Sequence, residues 1–268
     1  MRATLLVATH VFRDSVRDKV LYGIVAFAIL LMASSFLIGQ LTAGQDVKII
    51  KDLGLAAMSL FGLFIAIFIG IGLVSREIER RSIYAVLAKP VRRHEFIVGK
   101  YLGLVATLLV NLAIMAAAYY VVLTYMAYAV PSGTLKGEPP ATDPRLLIAV
   151  GLIAAELSLV TAVALFWSTF SSSALLSAGL TAGMWVAGQF GADLRNFDQV
   201  VQSPAAAGIA RGLYYVLPNF AAFDVKTQVV HGLPVGVEYV MVTLAYGAAY
   251  IAMLIVASVL IFSRRDFK

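Results

Sequence analysis

The chain has 268 residues, of which 61% are hydrophobic and only 13% charged, about half the charge of an ordinary soluble domain. Mean hydropathy is +0.89, so the charges are too few to clothe a soluble surface, and the long apolar runs are built for lipid. The net charge of +6 then points to basic loops beside a membrane rather than to nucleic acid, and the absence of cysteine excludes disulfides and thiolate metal sites.

The first segment, residues 1–19, predicts an amphipathic interfacial helix: Leu5, Ala8, Phe12 and Val16 step along one face, and Arg13, Asp14, Arg17 and Asp18 occupy the other. Its polar part is too long for a cleaved signal peptide, and no small-residue cleavage site follows the apolar run. A transmembrane helix needs roughly 20 mainly apolar residues. Six stretches qualify or nearly so: Val20–Gly39, Leu53–Val74, Tyr101–Tyr125, Leu146–Ser168, Ala174–Phe190 and Tyr239–Phe262. The expected fold is therefore all-α and polytopic, a single membrane domain over 1–268.

Orientation follows from Lys and Arg placement. Arg2, Arg13, Arg17 and Lys19, the cluster from Arg76 to Lys100, and Arg264, Arg265 and Lys268 fall on one side, which is expected to be cytoplasmic. Both termini then lie inside, and residues 41–52, 129–145 and 191–238 lie outside. The Pro- and Gly-rich stretch 129–145 reads as irregular. Residues 191–238 read as short external helices dipping into the outer leaflet, broken at Pro204, Pro218 and Pro234; a soluble cap is the competing reading.

Chemistry is sparse. No Gly-x-x-x-x-Gly-Lys-Ser/Thr loop is present, since Gly99-Lys100 is followed by Tyr101. His10, His94 and His231 are far apart, so no metal constellation is expected, and neither a catalytic set nor a cofactor site is apparent. Glu156 falls near the middle of the fourth span, where a carboxylate is costly. It is either a substrate or proton site, or a structural hydrogen-bonding group facing a Ser, Thr or Trp; the lack of a polar relay favours the structural role, as it does for Asn111 in the third span. Ala174, Ala178, Gly179, Ala182, Gly183 and Gly188 give the fifth span a small-residue surface suited to close helix approach.

The most informative segment is the loop between the second and third spans, at 76–95. Arg76 through Ala88 can form a short helix, with Glu77 and Arg81 in the favourable i, i+4 order and Ile83, Val86 and Leu87 as an apolar ridge. Pro90 stops it, and Arg92, Arg93 and His94 follow. A solvated topology-setting loop would gain nothing from that ridge, so the segment suits docking to a cytoplasmic partner.

Here the sequence resembles the permease subunits of ABC-2 type exporters. The matching residues are Arg76, Glu77, Glu79, Ser82, Leu87, Pro90, Arg93, Gly99 and Lys100, with Arg81-Ser82 where the family has Gly-Thr. Ser171-Ser172-Ser173 and Tyr214–Lys226 are weaker matches. Among subgroups it looks most like permeases linked to nitrous oxide reductase copper-site maturation. The resemblance implies a bacterial inner-membrane permease subunit without catalytic chemistry of its own. It implies two copies of a separate ABC ATPase below, and a second permease copy or close relative beside it. It further implies an ATPase-coupling role for Glu77, Glu79, Arg81, Ser82, Ile83, Val86, Leu87, Pro90 and Arg93. A secondary transporter or channel without an ATPase, and a non-transporting assembly subunit, are the alternatives.

Overall fold

The computed structural model describes residues 2–40, 46–79, 92–129, 140–171, 173–191, 208 and 212–264. The main elements are α1 (Arg2–Val16), α2 (Lys19–Gln40), α3 (Asp46–Glu79), α4 (Arg93–Ala129), α5 (Leu146–Phe170) and α6 (Ala174–Gln189), then a 3-10 turn (Ala221–Phe223), α7 (Lys226–Val230) and α8 (Val237–Arg264). No strand occurs among the described residues.

Four helices are long and apolar enough to cross a membrane: Val47–Ile71 in α3, Arg93–Tyr128 in α4, Leu146–Phe170 in α5 and Val237–Ser263 in α8. A shorter apolar helix covers Lys19–Ser34 in α2, and α6 has 16 residues. At 1.5 Å per residue α6 is about 24 Å long, short of a hydrocarbon core of about 30 Å. By the same arithmetic α3 and α4, with 34 and 37 residues, reach about 51 and 56 Å and must project beyond lipid. The chain is a polytopic helical membrane protein, and four of the six expected spans, Leu53–Val74, Tyr101–Tyr125, Leu146–Ser168 and Tyr239–Phe262, overlap these four helices. The stretch 46–52, expected to be loop, is instead the first turns of α3.

The centre of the bundle is α5. It buries Leu152, Ile153, Leu157 and the run Leu159–Leu165 against α3, α4 and α8. The approach to α3 is tight because α3 has no side chain there. A Cβ on Gly70 would lie 2.6 Å from Ala164 Cβ, and one on Gly62 2.3 Å from Leu157 Cδ1. Phe27 of α2 meets Phe61 of α3 edge-on, 5.5 Å between ring centroids. In α3 and α5 61% of the apolar window is buried, but in α8 only 17%, so α8 stands at the edge of the bundle.

Three hydroxyls shape the turn from α5 to α6. Ser171 is extended after Phe170, Ser173 caps α6 by accepting from Leu176 N at 3.4 Å, and Ser177 Oγ donates to Trp167 O at 3.3 Å. Ser173, within the serine run that resembles the family's, is thus also a local cap.

The segment before α8 lies along that helix. Tyr239, Tyr246 and Tyr250 share one face of α8 at helical spacing. Tyr239 OH donates to Ala222 O at 2.7 Å, Tyr246 OH accepts from Asn219 N at 2.9 Å, and Tyr250 OH donates to Val216 O. As the tyrosines advance along α8, their partners retreat from 222 to 216, so the segment runs antiparallel to α8 for about 16 Å, from its start to near its middle. Phe220 N–H also donates to Gly188 O at 3.1 Å on α6. The break expected at Pro218 is present, between a helical stretch at 212–216 and the 3-10 turn. Pro204 lies outside the described residues. The C-terminal turn of α7 closes on Gly232, whose φ of 70° suits a residue without Cβ, and Arg145 Nη1 donates to Gly232 O.

Candidate functional site: a helix junction and a buried carboxylate

Two regions bring polar or charged side chains together inside the bundle. The first is the start of α4, into which the loop 76–95 feeds. Glu95 Oε2 accepts from Arg92 N at 3.2 Å, the reach-back half of a capping box, and fixes where α4 begins. One residue on, Arg93 Nη1 donates to Phe262 O at 3.0 Å and Ser263 O at 2.7 Å. These are end carbonyls of α8, which have no partner within their own helix and carry the negative end of its dipole. Phe96 stacks on Phe262 at 5.8 Å with rings 20° from parallel, and Lys100 Nζ stands 5.2 Å from the centroid of Phe96. Ile97, Phe262 and Leu165 of α5 close a small apolar cluster beneath them.

The opposite side of the same turns of α4 receives α1. A Cβ on Gly99 would lie 2.7 Å from Thr4 O, and one on Gly103 2.6 Å from Ala8 O and 2.8 Å from Val11 Cβ. Gly99 and Gly103 are four apart, a small-xxx-small surface that lets two backbones meet. The face of α1 that docks is Thr4, Val7, Ala8 and Val11. The expected apolar stripe is therefore split: Leu5, at its head, is 65% exposed, while Ala8 goes to α4. The start of α4 thus touches α1 on one side and the end of α8 on the other.

The second region surrounds Glu156, which is 2% exposed. Its Oε1 accepts from Trp185 Nε1 at 2.9 Å and from Gln189 Nε2 at 3.0 Å, donors one turn apart on α6. Nearby on the same end of the bundle, Lys226 Nζ bonds Ser59 Oγ at 3.4 Å and pairs with Asp224 at 3.4 Å. Asn111 is satisfied within α4: its Nδ2 donates to Thr107 O at 2.7 Å, and Thr107 Oγ1 in turn donates to Gly103 O at 2.9 Å. Asn111 bonds only within its own helix, whereas Glu156 has the Lys226–Asp224 pair close enough to interact with it through charge.

The structure does not bring the sequence-expected residues to one place. Arg93 sits at the junction with α8, while Glu156 and Asn111 are separate. Glu77 and Glu79 belong to the last turns of the α3 backbone. Arg81, Ser82, Ile83, Val86, Leu87 and Pro90 lie outside the described residues. Among the described residues His10, His94 and His231 form no group with acids that could hold a metal. Two cations counted as loop charges prove buried: Lys51, whose Nζ donates to Pro140 O at 2.7 Å, and Lys100. Their long stems fill apolar space while the heads find partners, which only tertiary placement reveals. The Gly99–Gly103 spacing was the signal that could have located the α1 dock.

The family model described as ABC-2 family transporter protein matches residues 5–267, nearly the whole chain. The chain belongs to the ABC-2 transporter family. No curated protein matches the sequence. As an ABC-2 family protein it is the membrane component of an ABC transporter, a component whose task is transport rather than covalent chemistry, and the helix junction lies where the chain between α3 and α4 enters the bundle.

Proposed function

We propose that this ABC-2 permease crosses the cytoplasmic membrane six times, with α2 and α6 as the first and fifth crossings and both termini inside. It works as an exporter subunit in a pair of permease chains above two copies of a separate ATPase. The 76–88 segment docks in the ATPase and carries the strokes of nucleotide binding and release to the spans. The permease stabilises two conformations differently, and its partner biases the choice. Within the family, the permeases linked to nitrous oxide reductase maturation are the subgroup we favour.

The observation that carries this reading is the anchoring of α4. A rigid displacement of the 76–95 loop reaches α4 first, and α4 is fastened to the end of α8 through Arg93 and Phe96 and to α1 through Gly99 and Gly103. Three helices would then move from one input. The open glycines of α6 support a second permease copy: a Cβ on Gly179 or Gly183 meets nothing within 4 Å, whereas Gly188 is covered by Pro218 and Phe220 of the same chain.

The test is Ile83→Ala with Leu87→Ala in the purified permease–ATPase complex. Truncating apolar anchors at the centre of an interface costs on the order of 2 kcal/mol or more. The double variant should release the ATPase or disconnect hydrolysis from transport, with the permease still folded in the membrane. Full ATPase binding with full substrate-stimulated hydrolysis would remove the loop from this role.

A further inference from the structure

Where α1 turns into α2, a half-open cavity of about 570 Å³ lies against α3. Its walls divide by chemistry. Asp14, Arg17 and Lys19 supply charge at the turn, and Ile24 of α2 with Phe68 of α3 supply an apolar slot. The cavity lies at the membrane face where the apolar run of α2 begins and that of α3 ends, the depth at which headgroups meet acyl chains.

Ser15 lines this cavity, is 4% exposed, and its Oγ has no hydrogen-bond partner. Among the described residues only Tyr120 Oη, Trp167 Nε1 and Asn219 Oδ1 share that lack, and other helical hydroxyls behave differently. Thr9, Thr107, Ser158, Thr161, Thr181 and Ser258 all return their hydroxyls to the carbonyl four residues back, at 2.7–2.9 Å. A buried hydroxyl left without a partner is costly, so the wall of the cavity contains a donor in want of an acceptor.

We propose that this cavity binds one phospholipid of the leaflet on the N-terminal side, with a zwitterionic phosphoethanolamine headgroup. The phosphate oxygens accept from the Arg17 and Lys19 side chains and, once its χ1 turns into the cavity, from Ser15 Oγ; the ammonium faces Asp14, and an acyl chain lies between Ile24 and Phe68. Both signs of charge stand at the rim. A purely anionic headgroup would set its negative charge against Asp14, whereas a zwitterion meets each sign with its opposite. Asp18 also lines the cavity, so two carboxylates balance Arg17 and Lys19 there, and it accepts from Val20 N at 3.0 Å at the start of α2.

The site is read out by native mass measurement of the full-length permease, released from micelles containing equal amounts of phosphatidylethanolamine and phosphatidylglycerol. The wild type should keep one phosphatidylethanolamine per chain and prefer it about tenfold. Asp14→Asn should abolish that preference or turn it toward phosphatidylglycerol. Ser15→Leu, which fills the cavity, should lower occupancy about tenfold, and Arg13→Ala, outside the cavity, should leave it unchanged. If Ser15→Leu does not fold, the headgroup switch of Asp14→Asn decides alone. Equal retention of the two lipids by the wild type would overturn the proposal. So would a Ser15→Leu protein that folds and keeps its lipid, or one that loses a permease copy instead of a lipid, since the cavity would then be a contact between chains.

Discussion

Replacing Glu156 tells a structural acceptor from a titrating one. Its single oxygen Oε1 serves two donors, Trp185 Nε1 and Gln189 Nε2. Glu156→Gln keeps an oxygen acceptor at the same reach, so both bonds survive. Glu156→Leu keeps the volume but strands both donors in a buried site. Each stranded donor costs about 1–3 kcal/mol, so the pair costs about 2–6 kcal/mol, less whatever is regained by no longer burying a carboxyl. For a chain of this length each kcal/mol moves a melting midpoint by about 2–4 °C. Heat denaturation of the purified protein should therefore show Glu156→Leu lower by about 5–20 °C, and Glu156→Gln within about 3 °C of wild type. Trp185→Phe added to Glu156→Leu should recover part of the loss, because it removes one of the stranded donors. Transport by Glu156→Gln should stay close to normal. A Glu156→Gln protein that melts normally but cannot transport would refute this reasoning and make the carboxyl itself functional.

The α1 dock should be sensitive to a single methyl. Gly103→Ala places a Cβ 2.6 Å from Ala8 O, and overpacking of that kind costs about 1–3 kcal/mol; Gly23→Ala, where nothing lies within 4 Å, is the control and should be neutral or slightly stabilising by the same melting assay. Arg93→Ala leaves the Phe262 and Ser263 carbonyls without their guanidinium, at a cost of about 2 kcal/mol. It should weaken the link between hydrolysis and transport more than it weakens ATPase binding, measured side by side in one reconstituted complex, whereas equal loss of both would place Arg93 in the ATPase interface instead.

Much of the architecture could be read from apolar runs, because a helix in lipid satisfies its own backbone and needs only length and composition to declare itself. The ends were less legible. Asp46–Asp52 looks polar enough for a loop, yet Lys51 is swallowed by contacts from α4 and residue 140 that no local window contains. Glu156 could be singled out by its cost, and a Trp partner could be expected by type. Which Trp, and the help of Gln189, depended on α6 turning back beside α5 after the serine corner. Arg93 was grouped with the loop it adjoins in sequence, while its partners sit at the far end of the chain. Pairings across such separations follow from the packed bundle and leave no periodicity to detect.

The dock on Gly99 and Gly103 also sets an order of events during synthesis. The residues of α1 emerge first, but the glycines that receive them lie about 90 residues later in the chain. At about 5–20 residues per second, α1 waits roughly 5–20 s before its partner exists. Throughout that interval it has no α4 to pack on; an amphipathic helix is expected to wait in the headgroup layer, and Leu5 and Leu6, still 65% and 71% exposed in the finished protein, are side chains suited to hold it there. Replacing them with polar residues would leave the mature contact with α4 intact on paper, yet deprive the nascent chain of its temporary mooring.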